Sequence, residues 1–460
     1  MTKAESKVID FIKKHILLFL LVAVTIIAIF LRACGMDFQS DDFNSFLNPW
    51  WSIIRLNDFN GLATQVGNYN IPYQIIIYLM TLLPLKSLYA YKIVSIIFDF
   101  VLAISTAMLV YSFAKNNRRL KAILTYSAVL LSATVIFNSS FWAQCDSIYT
   151  SFIILAILFL HKDKPIASFV FIGIAFAFKL QTVFIIPVLL YYLISTKKIS
   201  ILHFFIIPAL DVIMCLPAII MGRPFIDIIT IYAEQTDCGK LIQMNCPNFY
   251  ALICDGNDMT YYYLFKQFSV FLTIAVLGIM MCVIICKKVD LKNLETFLLT
   301  TAWTVFTCIM FLSSMHERYG YLLDIILIVY AAVSAKHLWI PIVSTLISLR
   351  GYCYYLFSYE LISLKFTAII YTALYVYITF LLVKTIFRAK SSDNVLQKQF
   401  KIKHILNNKQ PQNPLYRVLA VVIFIYSMIF NFCKYNSNKK CDRFCNWERK
   451  PYACHLNSAV

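Results

Sequence analysis

The sequence predicts an all-α, polytopic membrane protein. Of its 460 residues, 60% are hydrophobic and only 14% are charged. The apolar residues occur in runs of about 15 to 25, a length that crosses a bilayer as a helix, rather than in amphipathic stripes. Basic residues collect at the ends of these runs, as they do at cytoplasmic membrane surfaces. These observations favour a chain that enters the membrane many times.

The apolar runs predict about twelve or thirteen embedded helices. In chain order they cover approximately residues 16–33, 92–113, 122–139, 146–160, 166–178, 182–195, 200–221, 261–286, 296–313, 319–335, 338–357, 363–385 and 415–432. Residues 71–84 add one apolar segment of about half the required length. The first run follows several lysines, but no small-x-small cleavage site comes after it, so we interpret it as an uncleaved span.

The distribution of charge predicts the orientation of the chain. The formal net charge is +18, and the basic residues cluster beside the spans. The clusters are Lys115/Arg118/Arg119/Lys121, Lys162/Lys164, Lys197/Lys198, Lys287/Lys288/Lys292 and the stretch from Lys384 to Lys409. By the positive-inside rule the N-terminus is cytoplasmic, and residues 34–70, 138–147, 222–260 and 313–319 form loops on the outer face. This pattern indicates a cell-membrane protein in contact with lipids, not a nucleic-acid-binding protein.

The chain is expected to divide into a membrane domain and a basic terminal region. Residues 1–385 form the membrane domain, in which the outer loops 34–70 and 222–260 are long enough to carry function. Residues 386–414 form a basic cytoplasmic linker, 415–432 a last span or an interfacial helix, and 433–460 a basic, cysteine-containing tail. If 415–432 spans, the tail lies outside and breaks the positive-inside rule. Either that run lies on the interface, or the span count is off by one.

The first outer loop supplies two adjacent carboxylates, Asp41 and Asp42, ahead of an amphipathic stretch rich in phenylalanine and tryptophan. The aromatic residues of that stretch are expected to lie in the membrane interface. One carboxylate has a structural interpretation, because Ser40 or Asp41 can cap the following helix. Capping leaves the other carboxylate as a candidate for chemistry.

A short outer turn, Phe141-Trp-Ala-Gln-Cys-Asp-Ser-Ile-Tyr149, places further polar side chains beside the hydrocarbon region. Its Trp142 is expected to anchor at the interface. Gln144 and Asp146 lie close to the hydrocarbon boundary and have a weaker structural explanation. They are therefore candidates for the functional site.

Phe178-Lys-Leu-Gln181 separates two half-length apolar runs, so a helix break is expected there. Lys179 either snorkels towards water or lines a wet cavity at the break, and Gln181 follows it. Gly67-Asn-Tyr-Asn-Ile-Pro-Tyr73, which contains Tyr69, is ordinary turn chemistry when taken alone.

Ser313-Ser-Met-His-Glu-Arg-Tyr-Gly320 places a cluster of ionisable side chains between two long apolar runs. A charge near the middle of a bilayer costs ~3 kcal/mol or more unless it is paired or hydrated, so such residues are functional candidates. Ser314 and Glu317 have the spacing of a capping box, and the tyrosine of the cluster suits an interface anchor. His316 and Arg318 have no comparable structural explanation.

The outer face thus combines carboxylates with cations. The carboxylates are Asp41 and Asp42, and the cations are Lys179, His316 and Arg318. An aspartate can take the proton of an acceptor hydroxyl as a general base, while arginine and histidine hold a departing phosphate. The sequence has no Walker loop or glycine-rich phosphate cradle, and a donor delivered by lipid needs none. No cofactor is evident, and no cluster of outer carboxylates demands a divalent metal.

Several short motifs resemble, in the same order, those of bacterial GT-C-type membrane glycosyltransferases. They are Ser-Asp-Asp-Phe-x-x-Phe-Leu-x-Pro-Trp, Asn-Tyr-Asn-x-Pro-Tyr, Phe-Trp-Ala-Gln-Cys-Asp-Ser-Ile-Tyr, Phe-Lys-Leu-Gln with a later proline, Cys-Pro-Asn-Phe-Tyr-Ala-Leu and Met-His-Glu-Arg-Tyr. The chain looks most like the mannosyltransferase relatives of the GPI-anchor second mannosyltransferase and, more distantly, the dolichyl-phosphate-glucose-dependent glucosyltransferases. The resemblance covers about residues 10–385 and rests on the common order of the motifs.

The resemblance implies a GT-C fold and an inverting transfer, at the outer face, from a polyprenyl-phosphate-linked sugar. The family's catalytic aspartate falls on Asp42, but Asp41 stands where relatives often have glycine, so the choice between the two carboxylates stays open. The motif that contacts the donor phosphate falls on His316-Glu317-Arg318, and Lys179 is a further candidate for that phosphate. Supporting candidates are Tyr69, Gln144, Asp146, Gln181, Glu317, Tyr319 and Asn248.

The implied enzyme is a hexosyltransferase, with mannose as one candidate sugar and a glycan, glycolipid or protein of the cell envelope as acceptor. A transporter or flippase of lipid-linked sugars is the alternative, because broken helices and membrane charges also mark transport pathways. Neither the hydropathy nor the motifs contain an inverted repeat, which counts against transport. A scaffold for an envelope complex would instead tolerate single replacements of Lys179, His316 and Arg318.

Overall fold

The computed structural model describes residues 1–237, 241–254 and 261–401, and these residues are organised as helices. Within them there is no β-strand, and extended backbone pairs only in isolated bridges that join His316 to Met244 and Asn245. The all-α prediction is confirmed for this part of the chain. The expected helix 415–432 and the tail 433–460 lie outside the described residues.

The helices follow the apolar runs of the sequence. In chain order they are α1 Lys3–Ala33, α2 Asn48–Asn57, α3 Ile71–Thr81, α4 Ser87–Phe113, α5 Arg118–Leu130, α6 Ala133–Ile136, α7 Asp146–His161, α8 Pro165–Phe178, α9 Ile186–Thr196, α10 Ile206–Ile220, α11 Phe225–Asp237, α12 Phe249–Ile253, α13 Tyr262–Lys287, α14 Leu294–Phe311, α15 Tyr321–Ser334, α16 Trp339–Phe357 and α17 Leu364–Lys401. Segments of π-helix cover Phe43–Leu47 and Phe137–Phe141, and 3₁₀ turns cover Asp58–Ala63, Leu180–Ile185 and Ile201–Phe205. Every apolar run expected between residues 16 and 385 therefore coincides with helical structure.

Among the described residues, seven helical segments are long and apolar enough to cross a membrane, or up to eight if the bent pair Arg118–Leu130 and Ala133–Phe141 counts as one span. The seven are Lys3–Ala33, Ser87–Phe113, Ile201–Ile220, Tyr262–Lys287, Leu294–Phe311, Trp339–Phe357 and Leu364–Phe387. Shorter apolar helices are Ile71–Thr81, Asp146–His161, Pro165–Phe178, Leu180–Thr196 and Tyr321–Ser334. The embedded segments expected from the sequence thus include both full spans and helices too short to cross alone.

Helix α14 is almost entirely enclosed by other helices. Four of its threonine hydroxyls are satisfied within the helix, because each donates to the carbonyl four residues earlier at 2.8 Å. These residues are Thr300, Thr301, Thr304 and Thr307. The helix ends at Phe311, directly before the loop that carries His316 and Arg318. A fully hydrogen-bonded core helix therefore supports that loop.

The loop that follows α1 is held by buried polar contacts. The Lys92 ammonium on α4 donates to three backbone carbonyls of the loop. The acceptors are Gly35 at 2.7 Å, Met36 at 3.0 Å and Phe38 at 2.5 Å. Ser40 then caps the next helical turn, because its hydroxyl accepts from the Phe43 amide at 3.2 Å. The predicted cap is thus provided by Ser40, and Asp42 makes no cap hydrogen bond.

A fully buried ion pair joins α1 to α4. Arg32 Nε lies 2.8 Å from Asp99 Oδ2, and the two side chains are 1% and 0% exposed. Asp99 also accepts from the hydroxyls of Ser139 at 2.6 Å and Ser147 at 2.8 Å. The two serines lie on either side of the turn between the second π-helical segment and α7. The ion pair therefore fixes both ends of that turn.

Candidate functional site

The Asp42 carboxylate is the centre of a converging set of donors. Its Oδ2 accepts from Trp142 Nε1 at 2.7 Å, from Gln144 Nε2 at 2.9 Å and from Arg318 Nη1 at 3.4 Å. Its Oδ1 accepts from the hydroxyl of Tyr355. The Asp42 side chain is 17% exposed. The carboxylate is thus firmly oriented while part of it stays accessible.

The turn after the second π-helical segment delivers two of these donors. Ala143, between Trp142 and Gln144, has a φ of +62°, a left-handed conformation that is unfavourable for a residue with a Cβ. The backbone N–H of Gln144 donates to the backbone carbonyl of Asn138 at 2.9 Å, and this hydrogen bond closes the turn. The left-handed backbone at Ala143 allows the side chains of Trp142 and Gln144 to reach the same carboxylate, that of Asp42. Strained residues and π-bulges are frequent at functional sites.

Arg318 lies between two carboxylates. Its Nη1 is 3.4 Å from Asp42 Oδ2, and its Nε is 3.9 Å from Asp146 Oδ2. The guanidinium carbon is 5.1 Å from the centroid of the Trp142 ring, a cation–π contact. Arg318 Nε is buried and has no hydrogen-bond partner. The guanidinium is therefore held in place with one donor left for a further acceptor.

Lys179 lies at a helix break, as the sequence indicates. Helix α8 ends at Phe178, the backbone of Lys179 is extended, and a 3₁₀ turn follows. The Lys179 ammonium forms an ion pair with Asp146 Oδ1, and Asp146 Oδ2 accepts from Asn138 Nδ2 at 2.8 Å. Lys179 is only 3% exposed. The snorkelling interpretation is therefore wrong, because Lys179 is the buried partner of Asp146.

His316 is not a cation in this arrangement. Burial lowers the pKa of His316 to about 3, and the charges of Arg318 and Lys179 contribute to the decrease. The prediction of a cationic His316 is therefore wrong, since the imidazole is neutral at pH 7. Its ring centroid lies 5.2 Å from that of Tyr319. A neutral imidazole still has one N–H to donate.

Glu317 is also buried, at 6% exposure. Burial raises the pKa of Glu317 to about 7, and the charge of Arg318 opposes this increase. The absence of a side chain at Gly351 on α16 makes room for it, because a Cβ there would lie 2.7 Å from Glu317 Cβ. The predicted capping box is wrong: α15 has no side-chain cap, and Ser314 donates to the Leu241 carbonyl at 2.6 Å instead.

Several supporting candidates fall within the same cluster. The Tyr69 hydroxyl donates to Gln144 Oε1 at 3.0 Å, so it leaves the NH₂ of that amide to face Asp42. Gln181 interacts with the Tyr319 hydroxyl, and its Oε1 is buried with no hydrogen-bond partner. Burial raises the pKa of Tyr319 to about 12, so the phenol is protonated at pH 7. Tyr319 therefore belongs to this cluster rather than to an interface belt.

Two sequence candidates make no contact with the cluster. Asp41 is exposed, whereas Asp42 makes the contacts described above. Asn248 is buried and caps α12, accepting from the Tyr250 amide at 3.1 Å. Its Nδ2 donates to two carbonyls at the end of α14, both at 3.2 Å. Asn248 thus anchors α12 to the end of α14, which is a structural role.

The site includes residues that the sequence patterns do not mark. Trp142, assigned to the interface by its sequence position, is 0% exposed and donates to Asp42. Tyr355 on α16 stacks on Trp142, with ring centroids 4.2 Å apart and an interplanar angle of 16°. Asn138, whose side-chain amide donates to Asp146, also donates to the Tyr352 hydroxyl of α16 at 2.9 Å. Tyr355 follows other tyrosines at the end of an apolar span, so no local signal distinguishes it.

The arrangement offers an oriented proton acceptor at Asp42 and, 3.4 Å from it, the guanidinium of Arg318. Among the described residues, no group of three or more His, Cys, Asp or Glu side chains is arranged to hold a metal ion. No protein-family model matches the chain, and no curated protein matches it.

Proposed function

We propose that this chain is an integral membrane glycosyltransferase that moves a hexosyl group, with mannose as a candidate, from a polyprenyl-phosphate carrier to a cell-envelope acceptor. The observation that carries the proposal is the partly exposed Asp42 carboxylate, oriented by hydrogen bonds and 3.4 Å from Arg318. A fixed carboxylate beside a guanidinium suits removal of a proton next to a phosphate leaving group. The ordered motifs that resemble GT-C-type glycosyltransferases support the same activity.

In this proposal Asp42 takes the proton of the acceptor hydroxyl while the acceptor oxygen attacks the anomeric carbon. The bond from that carbon to the phosphate oxygen breaks, and its electron pair leaves with the polyprenyl phosphate. Attack opposite the phosphate inverts the anomeric configuration. Arg318, whose side chain is 13% exposed, offers the positive charge of its guanidinium to the phosphate, and neutral His316 donates one hydrogen bond. Lys179 acts indirectly, by holding Asp146 beside Arg318.

The proposed site lies at the outer face of a cell membrane, with a cytoplasmic N-terminus, as the positive-inside pattern favours. A lipid-linked donor reaches such a site from within the membrane. The acceptor, a glycan, glycolipid or protein, approaches from the aqueous side.

The test is an incubation of membranes containing the protein with a panel of polyprenyl-phosphate [14C]hexoses, followed by measurement of donor consumption. The wild type should consume at least one donor. Asp42→Asn keeps the size of the side chain and removes its basicity, so transfer should fall by about 100-fold or more while donor binding persists.

Asp41→Asn is the matched control, because it makes the same chemical change at the neighbouring exposed carboxylate. This variant should transfer near the wild-type rate. Transfer by Asp42→Asn at the wild-type rate would refute the proposed mechanism.

A transporter or flippase of lipid-linked sugars is the second candidate, favoured by the helix break at Lys179 and the buried ion pair beside it. Broken helices with buried charges line the pathways of many transporters. Vesicles that contain the purified protein and a labelled lipid-linked sugar distinguish the two functions. Flipping without modification of any acceptor supports transport, and sugar transfer without flipping supports the enzyme.

A further inference from the structure

The two oxygens of the Asp42 carboxylate carry different numbers of hydrogen bonds. Oδ2 accepts from three N–H donors, on Trp142, Gln144 and Arg318. Oδ1 accepts from one donor, the hydroxyl of Tyr355. A carboxylate offers about four lone-pair positions, two on each oxygen. Oδ2 is therefore fully occupied, and the remaining position is on Oδ1.

The packing around Tyr355 fixes the direction of its hydroxyl. Its ring stacks on Trp142, which in turn packs edge-on against Tyr352 with centroids 5.4 Å apart and an angle of 89°. Trp142 is completely buried, but Tyr355 is only partly buried, and its neighbour Tyr354 is 45% exposed. The Oδ1 side of Asp42 thus lies against Tyr355, a partly buried residue of α16. The Oδ2 side is closed by Trp142, Gln144 and Arg318.

We propose that Oδ1 of Asp42 is the atom that receives the acceptor proton, and that Tyr355 is the positioning residue that orients this oxygen. The inference rests on the proposed function and deepens it. The acceptor O–H bond breaks, a carboxyl O–H bond forms at Oδ1, and the acceptor oxygen bonds to the anomeric carbon. The electron pair of the broken carbon–phosphate-oxygen bond leaves with the polyprenyl phosphate. Tyr355 keeps its own proton throughout.

This assignment separates the two substrates across one carboxylate. The acceptor hydroxyl approaches Oδ1 from the Tyr355 side, and the donor phosphate lies on the side of Arg318, which contacts Oδ2. Tyr355 acts on the reaction only through Asp42. Its hydroxyl donates to Oδ1, and a donated hydrogen bond in general favours the charged form of an acid.

The test is the pH dependence of donor consumption, measured with the polyprenyl-phosphate [14C]hexose that the wild type uses in native membranes. Tyr355→Phe keeps the stacked ring and removes the hydroxyl, so Oδ1 loses the hydrogen bond that Tyr355 donates. The acidic limb of the profile should move to higher pH by about one unit, with a rate decrease of about tenfold at the optimum. The apparent KM for the donor should not change.

A second replacement of Tyr355 should displace the acidic limb of the pH profile in the opposite direction. Site-specific replacement of Tyr355 by 3-fluorotyrosine leaves the shape nearly unchanged and makes the hydroxyl a stronger donor. The acidic limb should then move to lower pH. A purely structural role of Tyr355 does not predict opposite displacements from these two replacements.

Tyr354→Phe is the matched control, because it removes a hydroxyl from the adjacent position. The guanidinium carbon of Arg350 lies 5.1 Å from the Tyr354 ring centroid, and phenylalanine keeps that ring. Its pH profile should equal that of the wild type.

If both Tyr355 replacements give the wild-type profile while Asp42→Asn is inactive, the inference is wrong and the proposed function stands. If Asp42→Asn transfers at the wild-type rate, the proposed function and the inference are both wrong.

Discussion

Trp142 Nε1 donates to Asp42 Oδ2 at 2.7 Å, across 100 positions of sequence. Because Trp142 is completely buried, this contact connects the loop after α1 to the turn before α7 inside the protein. A hydrogen bond to a charged group contributes roughly 1.5–3 kcal/mol. Trp142 therefore has two separable functions, aromatic packing and orientation of the carboxylate.

Trp142→Phe separates those functions, because it keeps an aromatic ring beside Tyr355 and removes the N–H donor. We expect transfer to fall about tenfold, since Asp42 loses one of its orienting contacts, and the free energy of unfolding to fall by about 2 kcal/mol. Donor consumption and thermal unfolding in detergent measure the two effects. Trp339→Phe is the control, because Trp339 is 44% exposed. An unchanged transfer rate in Trp142→Phe would show that the hydrogen bond does not orient the carboxylate.

The Arg32–Asp99 ion pair should be far more important for stability than an exposed pair. Asp99→Asn leaves the Arg32 charge without its partner at 1% exposure, so we expect a loss of about 3–5 kcal/mol in the free energy of unfolding. The matched control is Asp163→Asn, which breaks the exposed pair with Lys198 and should cost less than ~1 kcal/mol. Chemical unfolding of both variants measures the difference. Equal losses would contradict the burial argument.

Glu317 should make the stability of the fold depend on pH. Burial raises its pKa from the ordinary value of 4.5 to about 7, so the folded protein binds this proton more tightly than the unfolded chain. The resulting stabilisation is fully present below the unfolded pKa and is lost as the pH rises through the folded pKa. Glu317→Gln should therefore match the wild type near pH 4 and exceed its stability above pH 7, by up to about 3 kcal/mol.

Unfolding free energies of the wild type and Glu317→Gln, measured between about pH 4 and pH 9, test this expectation. A difference between the two proteins that does not vary with pH would assign the effect of the substitution to packing against Gly351, not to the proton.

The Lys179–Asp146 pair should show strong coupling in a double-mutant cycle. Lys179→Met or Asp146→Leu alone leaves a buried charge without its partner, so each should destabilise the protein by about 3–5 kcal/mol. The double variant should lose much less than the sum of the two single losses. Thermal or chemical unfolding of the four proteins measures the coupling. Additive losses would indicate that Lys179 and Asp146 stabilise the fold independently.

Local features of the sequence predicted the helices and the places where they stop. The apolar run 166–178 corresponds to α8, which ends at Phe178, and the expected break occurs at Lys179. The positions of the Asp42 loop and of the His316–Arg318 cluster were also visible, because isolated charges stand out in a chain that is 14% charged. Hydropathy and turn chemistry depend on neighbouring residues, so a single sequence contains them.

Hydropathy and charge patterning predict an all-α membrane protein and the segments between apolar runs in which its polar residues collect. Contacts between distant segments come from tertiary packing instead: Tyr355 contacts Asp42 across 313 positions, and Asp146 is the buried partner of Lys179. Glu317, which the sequence predicts to cap a helix, is instead buried against Gly351 of α16. The physical reason is that span formation follows from local transfer energies, whereas partners and protonation states depend on long-range packing and on the burial that it creates.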